Sequence, residues 1–294
     1  MPHHHPLSGF WAAPALVVLV TYVVLAGRTA WSRWRTASFA GGCALVTVAL
    51  TDPVAALAAT DFRGHMMQHL LIGMLAPLAL ALGAPVTLLL RSLPVPRARR
   101  LTWALRGPAV HLAANPWTAL ALSAGGMAAL YCTPLYGLAP APPVHACLLL
   151  AGYLFAWVVA GPDPAPRRPP VPVRLAVVGV AVAVHAGLSG AMYAGRLALP
   201  APSDQLRGAA EIMLYGGGAA ELLLALAVAA SWRARRTPEN ADVELLAPGL
   251  TVRVPGEPEP VRRVRVPDRE PARTRGPLTP AQYGDEDEPD PADL

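Results

Sequence analysis

The chain has 294 residues, of which 54% are hydrophobic and 15% are charged, and its formal net charge is +5 at pH 7. Its mean hydropathy is +0.39 and its apolar runs approach twenty residues, which is more apolar surface than one soluble core of this size can bury. This composition excludes a soluble globular domain and predicts an all-α, polytopic membrane protein. All 24 basic residues are arginine, and the charge indicates membrane topology rather than nucleic-acid binding.

Seven segments have the length and composition of membrane-spanning helices. In chain order they are residues 10–26, 38–57, 67–90, 117–134, 145–160, 173–194 and 209–232. Residues 1–9 are expected to form a tail outside the membrane, without a removable signal peptide. Residues 233–294 are rich in proline and in both charges, which predicts a disordered cytoplasmic tail with a short β-like piece around residues 250–254.

The arginines are distributed unevenly between the two ends of these segments. After segments one, three, five and seven the connections carry Arg28, Arg33, Arg35, Arg91, Arg97, Arg99, Arg100, Arg106, Arg167, Arg168, Arg174, Arg233, Arg235 and Arg236. The alternate connections carry only Arg63, Arg196 and Arg207. By the positive-inside rule, this asymmetry predicts a multi-pass protein of a bacterial plasma membrane with its N-terminus outside and its C-terminus in the cytoplasm.

Side chains able to bind a metal are predicted to meet near the outer face. His65 and His69 are one helical turn apart at the outer end of segment three, and His145 begins segment five from the same side. His185 lies twelve residues into segment six, about 18 Å from its inner edge at about 1.5 Å per residue. Three methionines are expected at similar depth. The predicted metal ligands are therefore His65, His69, His145, His185, Met66, Met192 and Met213.

Imidazole combined with thioether on the oxidising side of a membrane favours copper, as Cu(I), with haem iron as the second choice and zinc less suited. A single histidine at a helix end is more often an interfacial or capping residue. His185 carries more weight, because polar side chains inside a bilayer are costly and tend to be functional. Glu221, near the middle of segment seven, is expected to be protonated or paired within the bundle.

The three cysteines lack the spacing of a zinc motif or of a disulfide framework. Cys132 and Cys147 flank the connection between segments four and five, where they could form a disulfide or supply thiolate ligands. We expect plain buried thiols instead.

The run TDPVAALAATDFRGHMMQHLLIGMLAPLALALGAPVTLLLRSLP at residues 51–94 resembles the signature of the CtaG-like cytochrome c oxidase assembly proteins, multi-span factors associated with caa-type oxidases. Similar segments follow in order: NPW at 115–117, YCTPLY at 131–136, AGYLFAWVVAGPDP at 151–164, HAGLSGAMYA at 185–194 and DQLRGAAEIMLYGGGAAELLLAL at 204–226. The resemblance covers roughly residues 10–232.

This resemblance implies a non-enzymatic factor that matures a haem-copper oxidase by handling copper for the buried copper centre of its catalytic subunit. The family's histidines on the third, fifth and sixth spans correspond to His65 and His69, to His145, and to His185. The expected partners are that catalytic subunit and the lipid bilayer, and no nucleic acid.

Three alternatives remain open at this point. The histidines suit a haem b protein, and Glu221 and Asp52 suit a copper or proton transporter. A scaffold that stabilises the oxidase without touching metal is the third. Nothing in the sequence matches a nucleophile elbow or a phosphate-binding loop, so no enzymatic activity is predicted.

Overall fold

The computed structural model of this chain describes residues 8–138, 141–166 and 168–236 and the short segments 245–246 and 249–250. All regular secondary structure among the described residues of the main unit is helical, and this unit ends at Arg235. A separate unit contains one antiparallel pair of two-residue strands, β1 (Leu245–Leu246) and β2 (Gly249–Leu250). The predicted all-α class is confirmed. Of the predicted tails at residues 1–9 and 233–294, residues 1–7, 237–244, 247–248 and 251–294 lie outside the described residues, and residues 8–9 and 233–236 are helical.

Fifteen helices and three π-helical turns follow one another in the main unit's described part. They are α1 (Ser8–Gly27), α2 (Arg33–Leu50), α3 (Val54–Thr60), α4 (Phe62–Leu70), the first π turn (Leu71–Leu75), α5 (Ala76–Leu82), α6 (Pro85–Ser92), α7 (Val95–Leu105), α8 (Pro108–Ala113), α9 (Pro116–Leu120), the second π turn (Ala121–Gly125), α10 (Gly126–Cys132), α11 (Leu135–Leu138), α12 (Ala141–Val159), α13 (Val171–Tyr193), α14 (Ser203–Glu211), the third π turn (Ile212–Gly216) and α15 (Gly217–Arg236).

Within the described residues, four helical stretches are long and apolar enough to cross a membrane: Phe62–Ser92, Pro142–Val159, Val171–Tyr193 and Ser203–Trp232. A fifth is present if α2 and α3, which bend by 43° at the break between them, form one span. Helices also occupy the first and fourth predicted segments, but Ala13–Gly27 is a shorter apolar helix. Seven spans and the orientation of the termini therefore stay predictions.

The long span that begins at Phe62 is interrupted near its other end. Ala84 has a left-handed backbone with φ of 55°, which separates α5 from α6. The buried carboxylate of Asp163 then caps α6, because it accepts hydrogen bonds from the backbone N–H groups of Val86 (3.1 Å) and Thr87 (2.7 Å) and from the Thr87 hydroxyl. This arrangement explains the LGAP sequence in the span and ties α6 to the loop after α12.

Close backbone approach at Gly152 places α12 against the first π turn. A Cβ atom added at Gly152 would clash with the carbonyl oxygen of Gly73 and would meet Pro77 Cγ at 2.9 Å. Glycine is therefore required at this helix crossing. The contact matters for function because the residues just before the first π turn carry two of the predicted ligands.

Gly152→Ala is expected to lower the free energy of unfolding by about 1–3 kcal/mol, since overpacking forces the helices apart. Gly179 is the matched control: it lies in α13, and an added Cβ there meets nothing within 4 Å. Gly179→Ala should raise stability slightly, because alanine favours helix over glycine by about 1 kcal/mol. Thermal unfolding in detergent measures both variants, and equal melting temperatures would contradict the close contact at Gly152.

Candidate metal site

The helix that carries the histidine pair begins with a defined cap. The Asp61 carboxylate accepts a hydrogen bond from the backbone N–H of Arg63 (2.8 Å) and pairs with the Arg63 guanidinium. Hydrogen bonds from the Arg63 side chain, and then from its backbone, lower the pKa of Asp61. Because this cap fixes the first turn of α4, it fixes the direction in which His65 and His69 project.

The two histidines lie side by side in the bundle. Their ring centroids are 4.0 Å apart, and the ring of His145 from α12 is 5.8 Å from that of His69. Two tyrosines complete the group: the Tyr131 hydroxyl lies 2.6 Å from His69 Nδ1, and the Tyr136 ring centroid is 5.1 Å from that of His65. The predicted convergence of histidines from segments three and five is therefore present in the structure.

Two of the imidazole nitrogens in this group have no hydrogen-bond partner. The Nε2 atoms of His65 and His69 are both buried and unpartnered, and His69 as a whole is 0% exposed. Leaving a buried polar atom unpaired costs about 1–3 kcal/mol, so such atoms are uncommon in native proteins. In the tautomer that leaves Nε2 unprotonated, this nitrogen is also the group that binds a transition metal.

His185 belongs to a second buried pair. Its Nδ1 lies 2.6 Å from Glu221 Oε1, and the two side chains are 8% and 4% exposed. The expected pairing of Glu221 within the bundle is confirmed. Since Nδ1 is engaged with the carboxylate, Nε2 is the ring nitrogen of His185 that remains for another ligand.

A small cavity connects the two groups. It has room for about one water molecule and is lined by Met66, His69, Leu70, Met74, Met127, His185, Met213 and Gly217. Four thioethers and two imidazoles thus border one space. Met74 and Met127 were not predicted as ligands. The sequence does not show which face of their helices points toward the cavity.

Three π turns interrupt the spans that surround this cavity. The first begins two residues after His69, the third contains Met213, and the second packs against α12 and α13. A π turn inserts one residue into a helix and is frequent at functional sites, because it turns the following residues to a different face. Met74 in the first π turn and Met213 in the third reach the same cavity by this means.

The other predicted residues lie at the margin. Met192 is 0% exposed but packs in the core beside Met66 rather than lining the cavity. His145 is half-buried and also lines a larger apolar groove with Cys43 and Leu80. Among the described residues, no three His, Cys, Asp or Glu side chains are placed to hold one metal ion, so a metal site here would need thioether ligands.

The expectation for two cysteines was wrong. Cys132 and Cys147 are both free, as expected, but both are exposed rather than buried. Neither cysteine is among the described residues that line the cavity. The fold and this lining together define a helical, apolar bundle with an imidazole and thioether pocket between its helices.

Residues 16–235 match the sequence profile of the cytochrome c oxidase caa3 assembly factors, and the chain belongs to that family. It is also 34% identical over 170 residues to uncharacterized proteins of Mycobacterium bovis and Mycobacterium tuberculosis, a match that covers 53% of this chain and 25% of each relative. An uncharacterized protein of Mycobacterium leprae is 31% identical over 195 residues, which is 59% of this chain and 29% of the relative. The matched region thus spans about a quarter of these relatives' length. No solved structure matches the chain.

Proposed function

We propose that this chain supports oxidase assembly by holding copper as Cu(I) between α4, α13 and the third π turn, and by passing it to the catalytic subunit of a haem-copper oxidase. Membership of the assembly-factor family supports the oxidase part of this proposal. The observation that carries the copper part is the pair of unpartnered, buried Nε2 atoms of His65 and His69, of which His69 lines a cavity bordered by thioethers.

The donor set suits Cu(I) better than other metals. Thioether sulfur is a soft ligand that selects Cu(I), and neutral imidazole accepts copper as well. Structural zinc sites rely on thiolate or on several histidines and carboxylates, which the cavity lining does not supply. In the proposed site His69 and His185 bind the ion with Met66 and Met213, which line the same cavity, while His65 and His145 contribute at the rim and Met192 packs in the surrounding core.

At the cavity between His69 and His185, size favours an ion over the haem alternative. The cavity has room for about one water molecule, whereas a porphyrin needs a pocket of about 300 Å³ or more. The transporter alternative relied on Glu221 and Asp52. Because Asp52 is exposed rather than placed in the bundle, only Glu221 still supports this alternative. An ion held by incomplete and flexible His and Met coordination is also suited to release by ligand exchange.

His145 suggests how the ion leaves. Its ring is near His69, and it also lines the groove between α12 and the α2–α5 face. In the proposal, the histidine-bearing end faces outside, copper arrives from that face, and the apo-oxidase subunit approaches within the bilayer. No covalent catalysis is involved, so the chain acts as an assembly factor and not as an enzyme.

Two neighbouring methionines test the cavity directly. Met66 is 2% exposed and lines the cavity, whereas Met67 is 38% exposed and does not. Leucine conserves the volume of methionine but removes the sulfur. Met66→Leu is expected to weaken Cu(I) binding by about tenfold, or about 1.4 kcal/mol, and Met67→Leu should leave it unchanged.

The measurement is an anaerobic titration of the purified protein in detergent against a chromogenic Cu(I) chelator. Wild-type protein should bind one Cu(I) ion per chain. Absence of Cu(I) binding by wild type, or equal loss in both methionine variants, would contradict the proposed site. A Soret band in the purified protein would favour haem instead.

A further inference from the structure

The pair formed by His185 and Glu221 is among the most buried polar contacts described in the bundle. The two side chains come from different helices, α13 and α15, and are only 8% and 4% exposed. Ionisable side chains in a bilayer interior are costly and tend to have a functional role, so this buried pair calls for a reason beyond packing.

The hydrogen bond determines which ring nitrogen of His185 is free. When Glu221 is ionised, its carboxylate only accepts hydrogen bonds, and in that state the Nδ1–H of the imidazole donates to Glu221 Oε1 over 2.6 Å. In a neutral imidazole, a proton on Nδ1 leaves the lone pair on Nε2. The same ring borders the cavity that His69 and Met66 line.

We infer that Glu221 is a positioning residue that fixes the tautomer and the ring direction of His185, so that Nε2 serves as a copper ligand. This inference rests on the proposed copper function and identifies Glu221 as the residue that orients the ligand His185. A carboxylate that accepts from the far nitrogen of a histidine ligand raises the basicity of that ligand and orients its ring. Glu221 does not touch the ion and acts through His185.

The inference is tested by Cu(I) affinity in four single variants and one double variant, and by the state of His185 in metal-free protein. Glu221→Leu removes the acceptor, whereas Glu221→Gln keeps an acceptor oxygen in the same place. Glu211→Gln is the matched control, since Glu211 belongs to the same span and is exposed. His185→Ala reports whether the ligand itself matters. Nitrogen-15 NMR of histidine-labelled, metal-free protein reports which ring nitrogen carries the proton.

Glu221→Leu is expected to weaken Cu(I) binding by about 10- to 100-fold, the usual effect of losing such a hydrogen-bond partner. Glu221→Gln should retain most of the affinity, Glu211→Gln should match wild type, and Glu221→Leu should add nothing to His185→Ala. The wild-type spectrum should show the proton of His185 on Nδ1.

Two results would overturn the inference, and they separate it from the wider proposal. If His185→Ala weakens binding while Glu221→Leu does not, Glu221 has no positioning role and the copper site stands. If neither variant weakens binding, both the inference and the assignment of His185 fail. The NMR measurement on wild type needs no variant to fold, and a proton on Nε2 would by itself overturn the inference.

Discussion

Replacing His65 and His69 together with alanine is expected to weaken Cu(I) binding by at least about 100-fold, or about 2.8 kcal/mol. The reason is that both side chains supply a buried, unpartnered Nε2 atom, and that His69 lines the cavity. Both must be changed, because their rings are only 4.0 Å apart and either one is placed to compensate for the other. Anaerobic titration against a Cu(I) chelator measures the effect.

The control for this double variant is His111→Ala. His111 is exposed, lies in α8 and bonds only to the carbonyl oxygen of Gly107 among the described contacts, so its loss should not change copper binding. His69 also contacts the Tyr131 hydroxyl, and thermal unfolding of the metal-free double variant therefore checks that the bundle remains folded. Wild-type affinity in a folded double variant would remove this pair from the site.

Cells that lack this protein are expected to make the catalytic subunit of their haem-copper oxidase but to assemble it without its full complement of copper. Oxidase activity and the copper content of the purified oxidase should both fall, while the amount of subunit polypeptide stays the same. The wild-type chain should restore both quantities. The His65 and His69 double-alanine variant should restore neither, because an empty site has no copper to deliver.

The same experiment separates copper delivery from a purely structural role. His111→Ala should restore activity as well as wild type does, and added copper in the medium should restore part of it in the deletion strain. If the double-alanine variant restored full copper content, the chain would act as a scaffold that does not handle metal. The family assignment would be unaffected by that result, since it depends on the match over residues 16–235.

The sequence was sufficient for everything that depends on local periodicity. Apolar runs predicted the helices, because a bilayer requires continuous apolar segments with internally paired backbone groups. The spacing of His65 and His69 placed both on one helical face, because residues four apart are neighbours on an α-helix. Family membership was likewise visible in the run at residues 51–94 and is confirmed by the profile match.

The burial of His185 and Glu221 was also predictable, and their pairing with each other was not. Counting residues placed His185 and Glu221 inside the bundle, but the contact between α13 and α15 that joins them at 2.6 Å depends on how the two helices pack. Burial was equally hard to predict for short side chains near helix ends. Cys132 and Cys147 were predicted to be buried thiols, but both are exposed.

Which methionines reach the cavity depends on packing and on the π turns. Met192 was predicted from its spacing to His185 and packs behind the cavity, whereas Met74 and Met127 line it without any distinguishing signal in the sequence. A π turn adds one residue and rotates the rest of the helix. No residue type in the sequence predicts where it occurs. The order of the side chains along the chain therefore determines which segments are helical. Which side chains line the cavity depends instead on the angles at which the interrupted helices meet.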